Sequence, residues 1–176
     1  MMTEVDILFI KQIELKYLSK IKKLFYLLAV NGTKAPNISQ LASDIETSRA
    51  TVMNYIKYLA DARLINIVYP VGQSFPKKPP MIMVHNPNLM YAIYPINVEK
   101  QELMENFFLN SLWKDHLVNS GKKSGCYVVN EKYQFKVCDA AKLSRSRFSQ
   151  DLIYARYNTE VGHGNMIPLW LLGFLY

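Results

Sequence analysis

A chain of 176 residues has room for one ordinary domain or two small ones, because domains usually contain about 100–150 residues, and this excludes a large multidomain enzyme. Half of the residues are hydrophobic and 12% are aromatic, which provides a core and excludes a disordered chain. The net charge of +7 favours an acidic partner such as nucleic acid, without indicating any specificity.

The positive charge is concentrated in the first half of the chain. Residues 1–80 hold eleven Lys or Arg against six Asp or Glu, whereas residues 81–176 hold ten against eight. Proline and glycine cluster between residues 70 and 95, where they disfavour a helix interior or a central strand. We therefore predict two domains, residues 1–88 and 89–176.

Several kinds of site are absent from the sequence. Cys126 and Cys138 are separated by eleven residues and no Cys/His cluster has zinc-finger spacing, so we expect no structural metal. The sequence contains no GxxxxGK[ST] phosphate loop. No apolar run approaches the roughly 18–20 residues of a membrane span, and no signal peptide is evident. We expect a cytoplasmic chain with free thiols.

The first half predicts three helices in helix-turn-helix order. Apolar residues recur at helical spacing over 17–30, and Asn31-Gly32 suits a left-handed cap. Asn37 is a candidate N-cap for a short second helix, and Ser48 is a candidate N-cap for a longer third one.

Two strands around a basic loop are predicted to follow these helices. Residues 64–69 and 81–84 are rich in β-branched and apolar residues, and the loop between them carries Lys77 and Lys78. Residues 48–59 and 62–65 resemble the third helix and first wing strand of prokaryotic winged-helix domains. The predicted fold class is α+β, with an N-terminal winged helix-turn-helix followed by a small α/β domain.

A winged helix would place its third helix in the major groove of double-stranded DNA. Arg49 and Asn54 would then face base edges, because Arg matches guanine and Asn matches adenine in bidentate geometry. The remaining candidates contact phosphate: Ser48, Thr51, Lys57, Lys77 and Lys78. The alternative is that this polar face is only solvated, or that the winged helix docks on a protein.

The second half predicts one amphipathic helix and several short strands. Residues 99–117 carry apolar residues at helical spacing, with Glu102, Glu105 and Asp115 at polar positions. Strands are predicted at 126–130 and 133–138. The terminal run 167–176 is predicted as a buried strand, with docking on another domain or subunit as the alternative.

The order of these elements resembles the C-terminal part of a prokaryotic family of AAA+-type P-loop ATPases. The resemblance covers residues from about 15 to 176, through the wing, residues 81–89, residues 104–108 and the terminus 162–176. It implies an ATPase domain upstream, which would bind ATP and Mg²⁺, and hence a fragment or a split gene product. It also implies that the last domain resembles the PD-(D/E)xK nuclease fold.

The nuclease pattern is incomplete in this chain. Glu105 matches the helix glutamate, but the strand position that should be acidic is Gln134 or Lys136, neither of which is an anionic metal ligand. Asp139 and Glu131 lie near the pattern but outside it. We therefore expect a second domain without catalysis, with Glu105 as the one weak catalytic candidate and no cofactor in this chain.

Two smaller features complete the sequence prediction. His163 lies between two glycines, which indicates a turn before the terminal segment, and residues 142–148 form a second basic patch that is either a solvated turn or a phosphate contact. The preferred function is DNA binding. The alternative is a module that docks on the upstream ATPase domain or on a second copy, and residual nuclease activity ranks third.

Overall fold

A computed structural model describes residues 15–95, 98–141, 149 and 151–175. Within these ranges the fold is mixed α+β, which confirms the coarse class predicted from the sequence. The chain divides into two units, residues 15–67 with 74–95 and residues 68–73 with 98–175. The predicted boundary between residues 88 and 89 lies inside the first unit.

The first unit begins with three helices, α1 (Leu15–Asn31), α2 (Ile38–Asp44) and α3 (Arg49–Asp61). Both predicted N-caps are confirmed: Asn37 Oδ1 accepts from the Gln40 amide at 3.2 Å, and Ser48 Oγ accepts from the Thr51 amide at 3.1 Å. Each cap satisfies an amide that a helix terminus leaves without a partner, so it fixes where the helix begins.

A small sheet and a further helix complete the first unit. The strands β1 (Ile65–Val68) and β2 (Met81–Val84) pair, as the sequence predicts. Helix α4 (Pro87–Ile93) was not predicted. The sequence signal for this helix is Asn86 followed by Pro87, since asparagine is a good N-cap and proline suits the first helical position. In the structure, Asn86 Oδ1 accepts from the Asn88 amide at 2.8 Å.

The core of the first unit forms where α1 packs against α3, β2 and α4, and where α2 packs against α3. Its side chains are aliphatic and aromatic and come from the helical positions that the sequence periodicity predicts. The buried members include Leu18, Ile21, Leu24, Leu28, Ile38, Leu41, Val52, Tyr55, Ile56 and Leu59. This packing leaves Arg49, Ala50, Asn54 and Lys57 of α3 exposed.

The second unit is a five-stranded sheet with α5 (Lys100–Leu112) on one face. The strands occur in chain order: β3 (Val118–Ser120), β4 (Cys126–Val129), β5 (Tyr133–Asp139), β6 (Ile153–Tyr157) and β7 (Met166–Pro168). The first three strands are antiparallel, and β6 and β7 extend the sheet in parallel.

The register decides which side chains face α5. Tyr127 pairs with Phe135, and both rings pack against Phe108 of α5, at centroid distances of 5.1 and 5.4 Å. Because side chains alternate along a strand, Cys126, Val128 and the residues paired with them belong to the opposite face.

The terminal segment differs from its prediction. A strand over residues 167–176 is wrong: β7 ends at Pro168, and Leu169–Leu175 form a 3₁₀ helix, η1, that packs on α5. Proline lacks the amide needed to continue the ladder, which explains why the strand stops there. Within the ranges described, no helix combines the length and apolar character of a membrane span.

Candidate functional site

The predicted DNA-contacting residues lie in the first unit, on α3 and on the loop between β1 and β2. Arg49, Asn54 and Lys57 are exposed on α3, and Lys77 and Lys78 are exposed on the loop. Thr51 is half-buried.

Ser48 and Thr51 interact with each other at the N-terminus of α3. The Ser48 hydroxyl caps α3, and its Oγ lies 2.8 Å from Thr51 Oγ1. Loss of an N-cap side chain typically costs about 1 kcal/mol. A substitution at Ser48 would therefore weaken α3 and would not measure a phosphate contact alone.

Arg49 and Lys78 line the same shallow groove. The groove has a volume of about 250 Å³, and Ile38, Ala50, Met53 and Pro76 form the rest of its lining. Because Arg49 begins α3 whereas Lys78 lies near the end of the loop, the fold brings together two cations that are distant in sequence. The periodicity of α3 alone does not predict that Arg49 and Lys78 line one groove.

Lys57 is less available for contact with an anion than its exposed position on α3 suggests. Its ammonium lies 3.6 Å from the carboxylate of Asp61, one helical turn further along, and 5.5 Å from the centroid of the Phe75 ring. An exposed pair of this kind is weak, at roughly 0.3–0.5 kcal/mol, so it reduces the attraction of Lys57 for an anion without cancelling it.

In the second unit, Glu105 is not the exposed polar residue that the helix pattern predicts. Its side chain is 1% exposed. The Tyr127 hydroxyl donates to Glu105 Oε2 at 2.6 Å, and Gln101 Nε2 donates to Glu105 Oε1 at 2.7 Å. The carboxyl group is therefore held between α5 and β4, beneath the sheet.

Gln101 extends this network to two more strands. Its Nε2 also donates to the Val137 carbonyl at 2.9 Å, and its Oε1 accepts from the Tyr157 hydroxyl at 2.9 Å. Gly125 has a positive φ of 71°, and a side chain there would lie 3.3 Å from Glu105 Oε1. Glu105 thus belongs to a hydrogen-bonded cluster in which Glu105 and Tyr127 are buried and Gln101 is half-buried.

Burial shifts the acid–base properties of this cluster. Desolvation raises the pKa of Glu105, and the hydrogen bonds from Tyr127 and Gln101 offset only part of that effect. The pKa of Tyr127 is raised well above its usual value, first by burial and then by the neighbouring carboxyl group. The neutral forms of both groups are favoured relative to exposed side chains.

The other residues of the incomplete nuclease pattern do not gather around Glu105. Gln134 and Lys136 alternate with Phe135 and therefore belong to the sheet face away from α5. Asp139 accepts from the Ala141 amide at 3.0 Å, while Glu131 is exposed in the β4–β5 turn. Among the described residues, no group of three or more His, Cys, Asp or Glu could hold a metal ion.

The remaining candidates are His163, the two cysteines and the basic patch at 142–148. The predicted turn at His163 is confirmed, since its amide donates to the Met166 carbonyl at 2.9 Å just before β7. Cys126 and Cys138 are free thiols, and burial raises the pKa of both. The basic patch predicted at 142–148 lies outside the described residues.

Comparison with known proteins gives one match. Residues 2–87 match a family model whose description is "Domain of unknown function (DUF8612)". No curated protein and no solved structure matches the chain. The matched region ends at the start of α4, so it contains the exposed face of α3 and the groove lined by Arg49 and Lys78.

Proposed function

We propose that the first unit is a winged helix that binds double-stranded DNA. The order of three helices, a strand, a basic loop and a second strand supports this fold, because the third helix and the loop are the parts a winged helix presents to DNA. Arg49 and Asn54 would read base edges from α3, while Lys57, Lys77 and Lys78 would contact phosphates.

The observation that carries the proposal is the shared groove of Arg49 and Lys78. A helix cation and a loop cation on one concave surface match a DNA strand that runs between the recognition helix and the wing. The apolar part of the lining suits the deoxyribose carbons between successive phosphates.

A salt titration of duplex binding tests this function. Lys57, Lys77 and Lys78 would each neutralise one phosphate, which predicts a slope of about −2.7 for log K against log salt. The measurement is fluorescence anisotropy of a labelled random duplex at 50–200 mM salt. An affinity that does not change with salt would refute DNA binding, because phosphate contacts must release counterions.

For the second unit we propose a non-catalytic role in a protein related to the AAA+-type P-loop ATPases. The burial of Glu105 and its hydrogen bonds to two side chains support a structural role for the one glutamate that matches the nuclease pattern. ATP and Mg²⁺ would bind an ATPase domain upstream and not this chain.

Protein assembly is a second candidate function, and one observation favours it. On η1, Trp170 is 50% exposed and Phe174 is 79% exposed, and their rings pack edge to face at 6.0 Å. Exposed aromatic clusters are common at protein interfaces. Light scattering combined with an electrophoretic shift separates the candidates, since a defined oligomer that shifts no duplex would favour assembly.

A further inference from the structure

The second unit contains a cavity of about 600 Å³, lined by β4, β5 and the turn between β3 and β4. Tyr127 and Phe135 contribute to its lining as well as residues of the opposite sheet face. Val128 and Gln134, which pair across β4 and β5, contribute to its lining. Leu152 and the chain segment Pro70–Val71 also line it. A cavity of this volume lies within the range of small-molecule sites, about 300–1,000 Å³.

Two local features hold the walls of this cavity in place. The Tyr69 carbonyl accepts from the Ser120 amide at 2.9 Å and from Asn119 Nδ2 at 3.2 Å, which ties the segment containing Pro70 and Val71 to β3. The Gly121 amide donates to the Cys126 carbonyl at 2.8 Å. The walls are therefore built by hydrogen bonds as well as by apolar contact.

Gly121 allows the turn between β3 and β4 to lie close to β4. A side chain at this position would come within 2.8 Å of Cys126 Cβ, so only glycine fits without displacement. The two residues that follow, Lys122 and Lys123, consequently lie at the edge of the cavity. Their side chains are exposed, as a charged cavity entrance requires.

The lining has a clear chemical character. It contains two lysines and no acidic residue, together with several apolar side chains and the polar Ser120 and Gln134. Positive charge at the entrance attracts an anionic group, and the apolar wall stabilises a hydrocarbon or aromatic body. Cys126 also lines the cavity, but its raised pKa keeps the thiol neutral and argues against a covalent ligand.

We propose that this cavity binds a small molecule with an apolar body and one anionic group, the anion lying near Lys122 and Lys123 and the apolar body against Val128. This proposal concerns the second unit alone and stands independently of DNA binding by the first.

Two probes that share the same rings test the proposal: 8-anilinonaphthalene-1-sulfonate, which is anionic, and N-phenyl-1-naphthylamine, which is neutral. We expect the full chain to bind the sulfonate saturably at one site in isothermal titration calorimetry. The double substitution Lys122→Glu/Lys123→Glu should weaken sulfonate binding about tenfold and change binding of the neutral probe less than about twofold.

The controls separate this site from general charge and from other apolar surfaces. Lys114→Glu/Lys132→Glu changes the net charge equally outside the cavity and should leave sulfonate affinity unchanged within about twofold. Phe174→Ser, on the exposed face of η1, should also leave it unchanged. A loss with either control equal to the loss at Lys122 and Lys123 would overturn the proposal.

A substitution in the apolar wall completes the test. Val128→Trp should abolish binding of both probes by filling the cavity, provided that circular dichroism shows a folded chain. If that variant does not fold, the comparison of the Lys122/Lys123 variant with the Lys114/Lys132 control still tests whether the cavity binds the sulfonate. Absence of saturable binding to the unaltered chain, or equal affinity in the Lys122/Lys123 variant, would refute the site.

Discussion

Replacing Glu105 with alanine is expected to lower the free energy of unfolding by about 3 kcal/mol, among the larger effects of a single substitution. The change removes the acceptor for the buried Tyr127 hydroxyl and for one N–H of the half-buried Gln101. A buried donor without a partner costs about 1–3 kcal/mol, and the lost side-chain volume adds to this. Urea denaturation followed by circular dichroism measures the difference.

The substitution Glu105→Gln is the matched control, because it keeps the size of the side chain. The new amide oxygen can accept from Gln101, while the Tyr127 hydroxyl can rotate to accept from the new N–H. We expect the glutamine variant to remain within about 1 kcal/mol of the unaltered chain at pH 7. An equally large loss in both variants would show that the hydrogen-bond account is wrong.

The same pair of proteins has a defined pH dependence. The pKa of Glu105 is raised in the folded chain, so above its usual value of 4.5 the folded state holds a proton that the unfolded state releases. The stability contributed by Glu105 therefore falls as pH rises from 4.5 through the folded pKa. Unfolding at pH 4.5–8 should show the chain with Glu105 losing stability relative to the glutamine variant.

These variants also decide whether Glu105 is structural or catalytic. If the chain cleaved DNA in the presence of Mg²⁺, and Glu105→Gln abolished cleavage while preserving stability, the non-catalytic role proposed for the second unit would be refuted. We expect no Mg²⁺-dependent cleavage by the unaltered chain or by either variant, measured on supercoiled plasmid.

The sequence predicted best those features that depend on neighbouring residues. The caps of α2 and α3 need only a side chain and an amide three residues away, so Asn37 and Ser48 were identified directly. Asn86 carried a comparable signal for α4. The prolines around Asn86 disfavour a helix interior, but Pro87 occupies the first helical position, which favours proline, so α4 forms where the proline content alone predicts no helix.

Features that depend on distant contacts were not predictable in the same way. Helix α5 packs against β5 on one side and η1 on another, so Glu105, Asn106 and Ser111 are buried although each is polar. An amphipathic pattern predicts that the polar face of a helix is exposed to solvent, whereas the polar residues of α5 at these positions are covered by neighbouring elements. The groove of Arg49 and Lys78 likewise follows from the path of the loop and from no periodicity within α3.

The double substitution Arg49→Ala/Lys78→Ala is expected to weaken duplex binding about thirtyfold at 50 mM salt, because it removes the base contact of Arg49 and the phosphate contact of Lys78. The salt slope should fall by about 0.9, since one phosphate contact is lost. Arg49 lies beyond the α3 N-cap and Lys78 lies in an exposed loop, so little stability should be lost. Lys23→Ala/Lys34→Ala removes the same charge from exposed positions outside the groove. If this control weakened binding equally, the groove would contribute only general positive charge, and the proposed placement of DNA between α3 and the loop would be wrong.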